Sequence, residues 1–295
     1  MLIHSSDDFK LDFIGIGAPK AGTTQVAEWL EAHPQLCMSV PKEIHYFNER
    51  SSYIHPQPNP NSLKPLSWYA KHFNHHQNGQ LKGEFSTGYL YDEQCAEKIK
   101  NHNPNIKIIA CLRQPAERAY SQYVMFWYYF KMEKRPFSDM MFEGNEFIEK
   151  SLYYKQLKRY FDVFPKAQIH VMFLEDLKND AEKSCADLYD FLGVDALFVP
   201  PNLHGKANAS KAVKFKFVSK LMGHFSKAMV GLGLSGLVEK LKQSGFKKWV
   251  MGINSSPIKY PPMSDDERTY IMEAVKDDIE HLEKLLDKDL AHWKA

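Results

Sequence analysis

Apolar and polar positions follow two rhythms along this chain of 295 residues. Lys10 to Gly17 (KLDFIGIG), Ile106 to Leu112 (IKIIACL) and Gln168 to Leu174 (QIHVMFL) are short runs rich in Ile, Val and Phe. Runs of that length and content are the pattern of strands covered on both faces. Lys82 to Tyr91 reads as a further strand and turn. Helical spacing lies between these runs. From Thr23 it passes through Val26, Trp29 and Leu30 and stops at His33-Pro34. Asp92 to Asn101, Ala116 to Phe130 and the stretch after Leu174 as far as Leu192 follow the same rhythm. Strands alternating with helices predict an α/β fold with a mostly parallel sheet and right-handed crossovers. Residues 48–65 carry Pro56, Pro58, Pro60 and Pro65 among Asn and Ser, the composition of a flap rather than of core. The whole chain, 1–295, reads as a single domain.

In open α/β sheets ligands bind beyond the carboxyl ends of the strands. The residues after Gly17, Leu112 and Leu174 are therefore the first to examine. After Gly17 comes Ala18-Pro19-Lys20-Ala21-Gly22-Thr23-Thr24, between strand and helix. A glycine loop entering a helix offers backbone N–H groups and the positive dipole end to an anion, and Lys20 adds a charge. A Walker loop needs Lys directly after the second Gly, and a dinucleotide fingerprint needs Gly at position 20; neither pattern is met. After Leu112 comes Arg113-Gln-Pro-Ala-Glu-Arg118-Ala-Tyr-Ser121-Gln-Tyr123. Arg113 falls at a strand end and Ser121 two helical turns later, a placement that could converge on a second phosphate; taken alone, the simpler reading is an arginine paired with Glu117 and a serine on a solvated face.

Charge and cysteine content narrow the picture further. Lys plus Arg is 38 and Asp plus Glu is 36, a net charge of +2, which argues against a general nucleic-acid binder. Cys37, Cys95, Cys111 and Cys185 are scattered, without a CxxC pair or zinc-site spacing, a usage that suits a reducing compartment. The acid-bearing amino-terminal stretch lacks the pattern of a signal peptide. The longest apolar stretch, Ala228 to Val238, is too short to span a bilayer. A cytoplasmic protein is the expectation.

Taken together, these motifs resemble the sulfotransferases that use 3′-phosphoadenosine 5′-phosphosulfate. PKAGTT is similar to that family's 5′-phosphosulfate loop, and RQPAERAYSQY to its 3′-phosphate element. Pro41-Lys42-Glu43-Ile44-His45-Tyr46-Phe47 and Gly83-Glu84-Phe85-Ser86-Thr87-Gly88-Tyr89-Leu90 resemble segments of the glycan-modifying branch, which includes the heparan sulfate sulfotransferases and bacterial relatives. The resemblance implies a P-loop NTPase-like three-layer fold with the central sheet flanked by helices. It implies sulfuryl transfer from that donor to a hydroxyl or amine of a glycan or small-molecule acceptor, with no metal required. Pro19, Lys20, Ala21, Gly22, Thr23 and Thr24 would hold the 5′ end of the donor, and Arg113 and Ser121 the 3′-phosphate. Lys20 would also stabilise the sulfuryl group. Glu43 would be the general base, with His45 as its rival, and Lys259 would supply a cation for the nucleotide. One departure stands out: Phe85 replaces a lysine usual in the branch, which makes a sulfated or carboxylated polysaccharide a poorer acceptor.

Two rival functions fit parts of the sequence. Ile169 to Asp176 (IHVMFLED) superficially resembles a Walker B strand, which would suit a P-loop kinase. A nucleotide-binding module without activity would keep the same fold. Residues 211–248 hold nine lysines and one acid, a net charge of +8, interspersed with Phe, Leu, Met and Val. That composition predicts a basic amphipathic helical insertion. It would cap the core, lie on a membrane surface, or meet an acidic carrier or apolar acceptor.

Overall fold

The computed structural model describes residues 9–51, 57–130, 135–140, 145–205, 211–213, 255–257 and 262–294. In chain order its strands begin with β1 (Phe13–Gly17), β2 (Leu36–Met38) and the short antiparallel pair β3 (Arg50–Ser51) and β4 (Gln57–Pro58). Next come β5 (Leu81–Phe85), β6 (Lys107–Leu112) and β7 (Ile169–Phe173). A second antiparallel pair, β8 (Lys211–Val213) and β9 (Ser255–Pro257), follows. The helices are α1 (Thr23–Ala32), α2 (Leu66–Ala70), α3 (Cys95–His102), α4 (Pro115–Val124), α5 (Glu146–Glu149), α6 (Tyr153–Val163), α7 (Leu174–Asn179) and α8 (Ala181–Leu192). Near the carboxyl terminus come α9 (Asp265–Ala274), α10 (Lys276–Leu286) and α11 (Ala291–Lys294).

Five strands make one all-parallel sheet in the order β2-β5-β1-β6-β7. β1 lies at the centre with all five residues buried, and five of the six residues of β6 are buried beside it. That is why these two strands read as unbroken apolar runs. The chain turns one way from β1 to reach β2 and β5, and the other way to reach β6 and β7. The carboxyl end of β1 is thus the switch point at which a crevice opens.

Helix ends explain where the sequence pattern was broken. The stretch after Leu174, expected as one helix, is two, because the Asp180 side chain accepts the Lys183 N–H and starts α8. α8 ends on Gly193, whose φ of 75° provides the left-handed turn. Residues 116–130, also expected as one helix, are α-helical to Val124 and π-helical over Met125–Phe130, where bulky aromatic residues run together. α9 opens with a capping box between Ser264 and Glu267.

Two compact units account for the contacts: residues 1–123, 135–207 and 263–295 form one, and 124–134 and 208–262 the other. The first contains the sheet; the second contains the β8–β9 pair. Of the basic stretch 211–248, all but the three residues of β8 lies outside the described residues, as does Lys259. Within the Pro-rich stretch 48–65 the described part is tied down. Asn61 Nδ2 donates to the Ile44 carbonyl at 2.8 Å, and Asn59 Nδ2 to the Asn48 carbonyl at 2.7 Å. Among the described residues no helix is long and apolar enough to cross a membrane.

Candidate active site

The loop between β1 and α1 occupies the switch point. Its entry is pinned by the Ala18 N–H, which donates to the Cys111 carbonyl of β6 at 2.7 Å. Gly22 forms the start of α1 with φ 86°, and a Cβ there would sit 2.8 Å from Leu174 Cδ1, so only glycine fits. Lys20 also has a positive φ, 69°, and His45 another, 56°. Two of the three non-glycine residues with positive φ among the described residues therefore belong to this site, and such conformations concentrate where function holds the backbone.

Positive charge gathers around the loop without an acid in the first turn of α1. Arg113, just past β6, donates from Nη1 to the Lys20 carbonyl at 3.3 Å and from Nη2 to Glu117 Oε2 at 3.2 Å. Glu117 is shared with Arg268 of α9, whose Nη2 lies 2.5 Å from Oε1. Arg118 is fully buried and spends its donors on neutral partners, Ser151 Oγ at 2.7 Å, Gln122 Oε1 at 2.6 Å and the Phe147 carbonyl. Burial pushes the Lys20 ammonium pKa down, and the charges of Arg113 and Arg118 push the same way. A helix N-terminus beside cations that repel one another is a cradle for a multiply charged anion. Ser121 lies on α4, partly exposed, in the same unit.

The Pro41–Phe47 segment faces that loop. Glu43 Oε1 is 3.3 Å from Lys42 Nζ, and its Oε2 is 3.2 Å from His45 Nε2 and accepts Thr87 Oγ1 at 3.2 Å. Lys42 Nζ in turn donates to Thr23 Oγ1 at 3.3 Å, so Glu43 and the β1–α1 loop are linked through one ammonium. Burial alone would push the Glu43 pKa up; the His45 hydrogen bond and the Lys42 charge outweigh it and hold the carboxyl down at about 2. His45 reaches Glu43 by its left-handed turn, and not by the extended alternation that the two-residue spacing suggests.

Beneath this segment lies a carboxylate that the sequence pattern did not single out. Glu84, at the end of β5, is fully buried and accepts from Tyr69 Oη, Tyr89 Oη at 2.8 Å, Ser86 Oγ and the Ile44 N–H at 3.1 Å. Burial pushes its pKa up against these four donors. Ser86 Oγ also accepts the His45 N–H at 2.9 Å, and Tyr89 Oη the Tyr46 N–H at 2.7 Å. Three successive backbone donors, 44 to 46, are thus caught by side chains of one turn. The turn itself is fixed to β1 by the Ser86 N–H to Gly15 and Leu90 N–H to Ile16 bonds.

The sequence model of the sulfotransferase domain family matches residues 10–203, nearly two thirds of the chain and all of the site residues just described except Arg268. This chain belongs to the sulfotransferase family. Among its curated relatives, the membrane-associated sulfotransferase kil1 of Dictyostelium discoideum is 25% identical over 65% of this chain and 59% of its own length. Heparan sulfate glucosamine 3-O-sulfotransferase 5 of Mus musculus is 29% identical over 53% of this chain and 46% of its own. Bifunctional heparan sulfate N-deacetylase/N-sulfotransferase 3 of Homo sapiens is 25% identical over 94% of this chain and 30% of its own. The sulfotransferase thus spans less than two thirds of the length of each. A crystal structure of a sulfotransferase from Alicyclobacillus acidocaldarius superposes with a TM-score of 0.71 at 23% identity, covering 97% of this chain and all of the other. The α/β, P-loop NTPase-like fold expected of the family is the fold of this sulfotransferase.

Membership in the sulfotransferase family sets aside the kinase. The stretch that resembled a Walker B strand ends differently here. Glu175 Oε1 accepts the Gln114 N–H at 3.0 Å, and Asp176 pairs with Lys288 at 3.1 Å. Phe85, the residue that replaces a lysine, points into the core. It is fully buried, and a Cβ on Gly15 would meet its ring at 2.2 Å. The ammonium over that ring, 5.1 Å from its centroid, is that of Lys42. Sequence reasoning passed over Lys42, Glu84, Thr87 and Arg118. The available signal was an acid and an arginine inside segments that otherwise read as buried.

Proposed function

We propose that this sulfotransferase moves a sulfuryl group from 3′-phosphoadenosine 5′-phosphosulfate to an acceptor hydroxyl. The observation that carries the reading is the chain Thr23–Lys42–Glu43, which joins an anion-binding loop to an ionised carboxylate. The nucleotide would supply an activated sulfuryl group. The residues supply positioning and charge, which such a transfer mainly needs. Lys20, Gly22, Thr23 and Thr24 would hold the 5′ end, with Pro19 and Ala21 shaping the loop. Arg113 and Ser121 would take the 3′-phosphate, Arg113 by giving up part of its contact with Glu117. As the acceptor oxygen bonds to sulfur, Glu43 would accept its proton while the electron pair of the breaking S–O bond stays on the 5′-phosphate. His45, bonded to the same carboxylate, would orient it.

For the acceptor we propose a neutral carbohydrate or lipophilic small molecule. A groove of about 410 Å³ adjoins the site through Gly88, where a Cβ would lie 3.3 Å from His45 Nδ1. Carboxylates of Glu49, Asp92, Glu93, Glu146 and Glu149 line it beside Lys155 and Arg159. Ion pairs with Lys98, Lys150 and Arg159 leave no surplus of positive charge to draw a polyanion. A reducing compartment remains part of the reading, since all four cysteines are buried thiols. The test is transfer of radiolabelled sulfate to pooled glycans, sterols, phenols and lipid extract, with thermal-shift arms for adenosine 3′,5′-bisphosphate and ATP·Mg. Labelled product, and stabilisation by the bisphosphate, are expected. Stabilisation by ATP·Mg alone would overturn the donor assignment.

A further inference from the structure

Lys42 stands where the phosphate loop and the base meet. Its Nζ is 3.3 Å from Thr23 Oγ1 on one side and 3.3 Å from Glu43 Oε1 on the other. Below it lies the Phe85 ring, 5.1 Å away and immobilised against Gly15. The backbone that carries Lys42 is held as well. Its carbonyl accepts Ser39 Oγ at 3.0 Å and the Phe85 N–H at 3.4 Å. A fixed root under a flexible four-carbon stem gives an ammonium that can change partners over a few ångströms.

The two partners mark the two ends of the reaction. Thr23 belongs to the loop that would hold the 5′-phosphate, and Glu43 is the group that would receive the acceptor proton. In an in-line transfer the sulfuryl group would lie between the 5′-phosphate and the acceptor, on the side of the loop that Lys42 faces. While Lys42 rests against Glu43 it also makes that carboxylate a weaker base, because a neighbouring cation favours the ionised form. The pull of Lys42 and His45 on the Glu43 pKa, against the opposing effect of burial, agrees with that.

We propose that Lys42 is a second catalytic cation, which leaves Glu43 for the sulfuryl oxygens when the donor binds and so frees Glu43 to accept the acceptor proton. The proposal rests on the donor assignment above. It gives Lys42, like Lys20, a preference for the sulfated nucleotide over the same nucleotide without its sulfuryl group, which the loop residues that meet only the 5′-phosphate would not show. The aromatic floor fits that role, since it stabilises the ammonium without offering an anion that would hold it back.

Calorimetric binding without acceptor tests this on the full chain, using 3′-phosphoadenosine 5′-phosphosulfate and adenosine 3′,5′-bisphosphate as separate ligands. Lys42→Met should lose about tenfold or more in affinity for the phosphosulfate and less than about twofold for the bisphosphate, as expected for one charge-assisted hydrogen bond. Lys42→Arg, which keeps the charge, should recover most of the loss. The bisphosphate arm reports in the same experiment that the variant is folded. An equal loss for both ligands, or no loss for either, would overturn the proposal while leaving the donor assignment intact. A wild-type chain that binds neither nucleotide would overturn the donor assignment and the proposal with it.

Discussion

Glu84 accepts the backbone N–H of Ile44 at 3.1 Å from a position fully closed to solvent. The bond runs from the end of β5 to the irregular segment after β2 and lands between Glu43 and His45, so the carboxylate that never meets the acceptor sets where the proposed base stands. A buried acid with four donors around it is costly to disturb, since each donor left unpaired costs roughly 1–3 kcal/mol. Glu84→Gln removes one acceptor and adds a donor facing Tyr69 or Tyr89. Turnover should fall about tenfold to a hundredfold as Glu43 loses its placement. Bisphosphate affinity should change less than about twofold, because the nucleotide loop does not depend on Glu84. Steady-state kinetics with calorimetry would separate the two effects, and equal losses in both would count against a positioning role.

How much of this could be read from the chain depends on how local each feature is. β1 and β6 are buried on both faces and announce themselves as apolar runs, and β7, an edge strand with His170 and Val171 only half-buried, reads the same way because it is equally rich in Ile, Val, Met and Phe. The loop after β1 is contiguous, so PKAGTT carried its own signal. The Pro41–Phe47 segment stood out only through resemblance, because a carboxylate beside a lysine looks like any surface pair. What escaped depends on partners far apart in sequence. Glu84 gains meaning only when Ile44, Tyr69, Ser86 and Tyr89 surround it, and Lys42 only when Phe85 lies beneath and Thr23 opposite. β2, three residues long, is too short to carry a pattern of its own, whereas α6, with Tyr153, Leu157 and Tyr160 at helical spacing, did carry one and was passed over.

Glu43 itself should be indispensable to turnover and nearly irrelevant to nucleotide binding. Glu43→Gln keeps the shape and the hydrogen bond to Thr87 but cannot take a proton, so sulfate transfer should fall by at least about a hundredfold. The carboxyl also leaves a mark on stability. Its folded pKa, about 2, lies below the ordinary 4.5, so its stabilising contribution is complete above about pH 4.5 and is lost as pH falls through 2. Denaturant melts of wild type and Glu43→Gln should therefore converge over that window, whereas curves parallel from pH 5 to pH 2 would contradict the assignment.

Arg113 offers the cleanest separation of donor site from fold. Its guanidinium reaches the Lys20 carbonyl and Glu117 while staying partly exposed, so Arg113→Ala should fold. Affinity for adenosine 3′,5′-bisphosphate should drop about tenfold to a hundredfold, the scale of a lost charge-assisted pair. Adenosine 5′-monophosphate, which lacks the 3′ group, should lose little. A loss of the same size for both nucleotides would place Arg113 at the 5′ end instead.

Asp278 tests the scaffold rather than the chemistry. From α10 it reaches across to the start of α6, accepting the Tyr154 N–H on Oδ2 at 2.8 Å and the Lys155 N–H on Oδ1 at 3.0 Å. Burial raises its pKa from 3.8 to about 6, with these backbone donors opposing the rise only in part. Because the folded value is the higher one, the folded state binds this proton more tightly than the unfolded chain does. The resulting stabilisation is complete below about pH 3.8 and disappears as pH rises through 6. Asp278→Asn cannot titrate and loses one acceptor, so it should be less stable throughout. The gap between wild type and variant should widen on going from pH 7 to pH 4.5, by on the order of 1 kcal/mol once partial exposure is allowed for. Urea melts at the two pH values measure that gap. A constant difference would mean that Asp278 is charged across the range and caps α6 as an ordinary surface carboxylate.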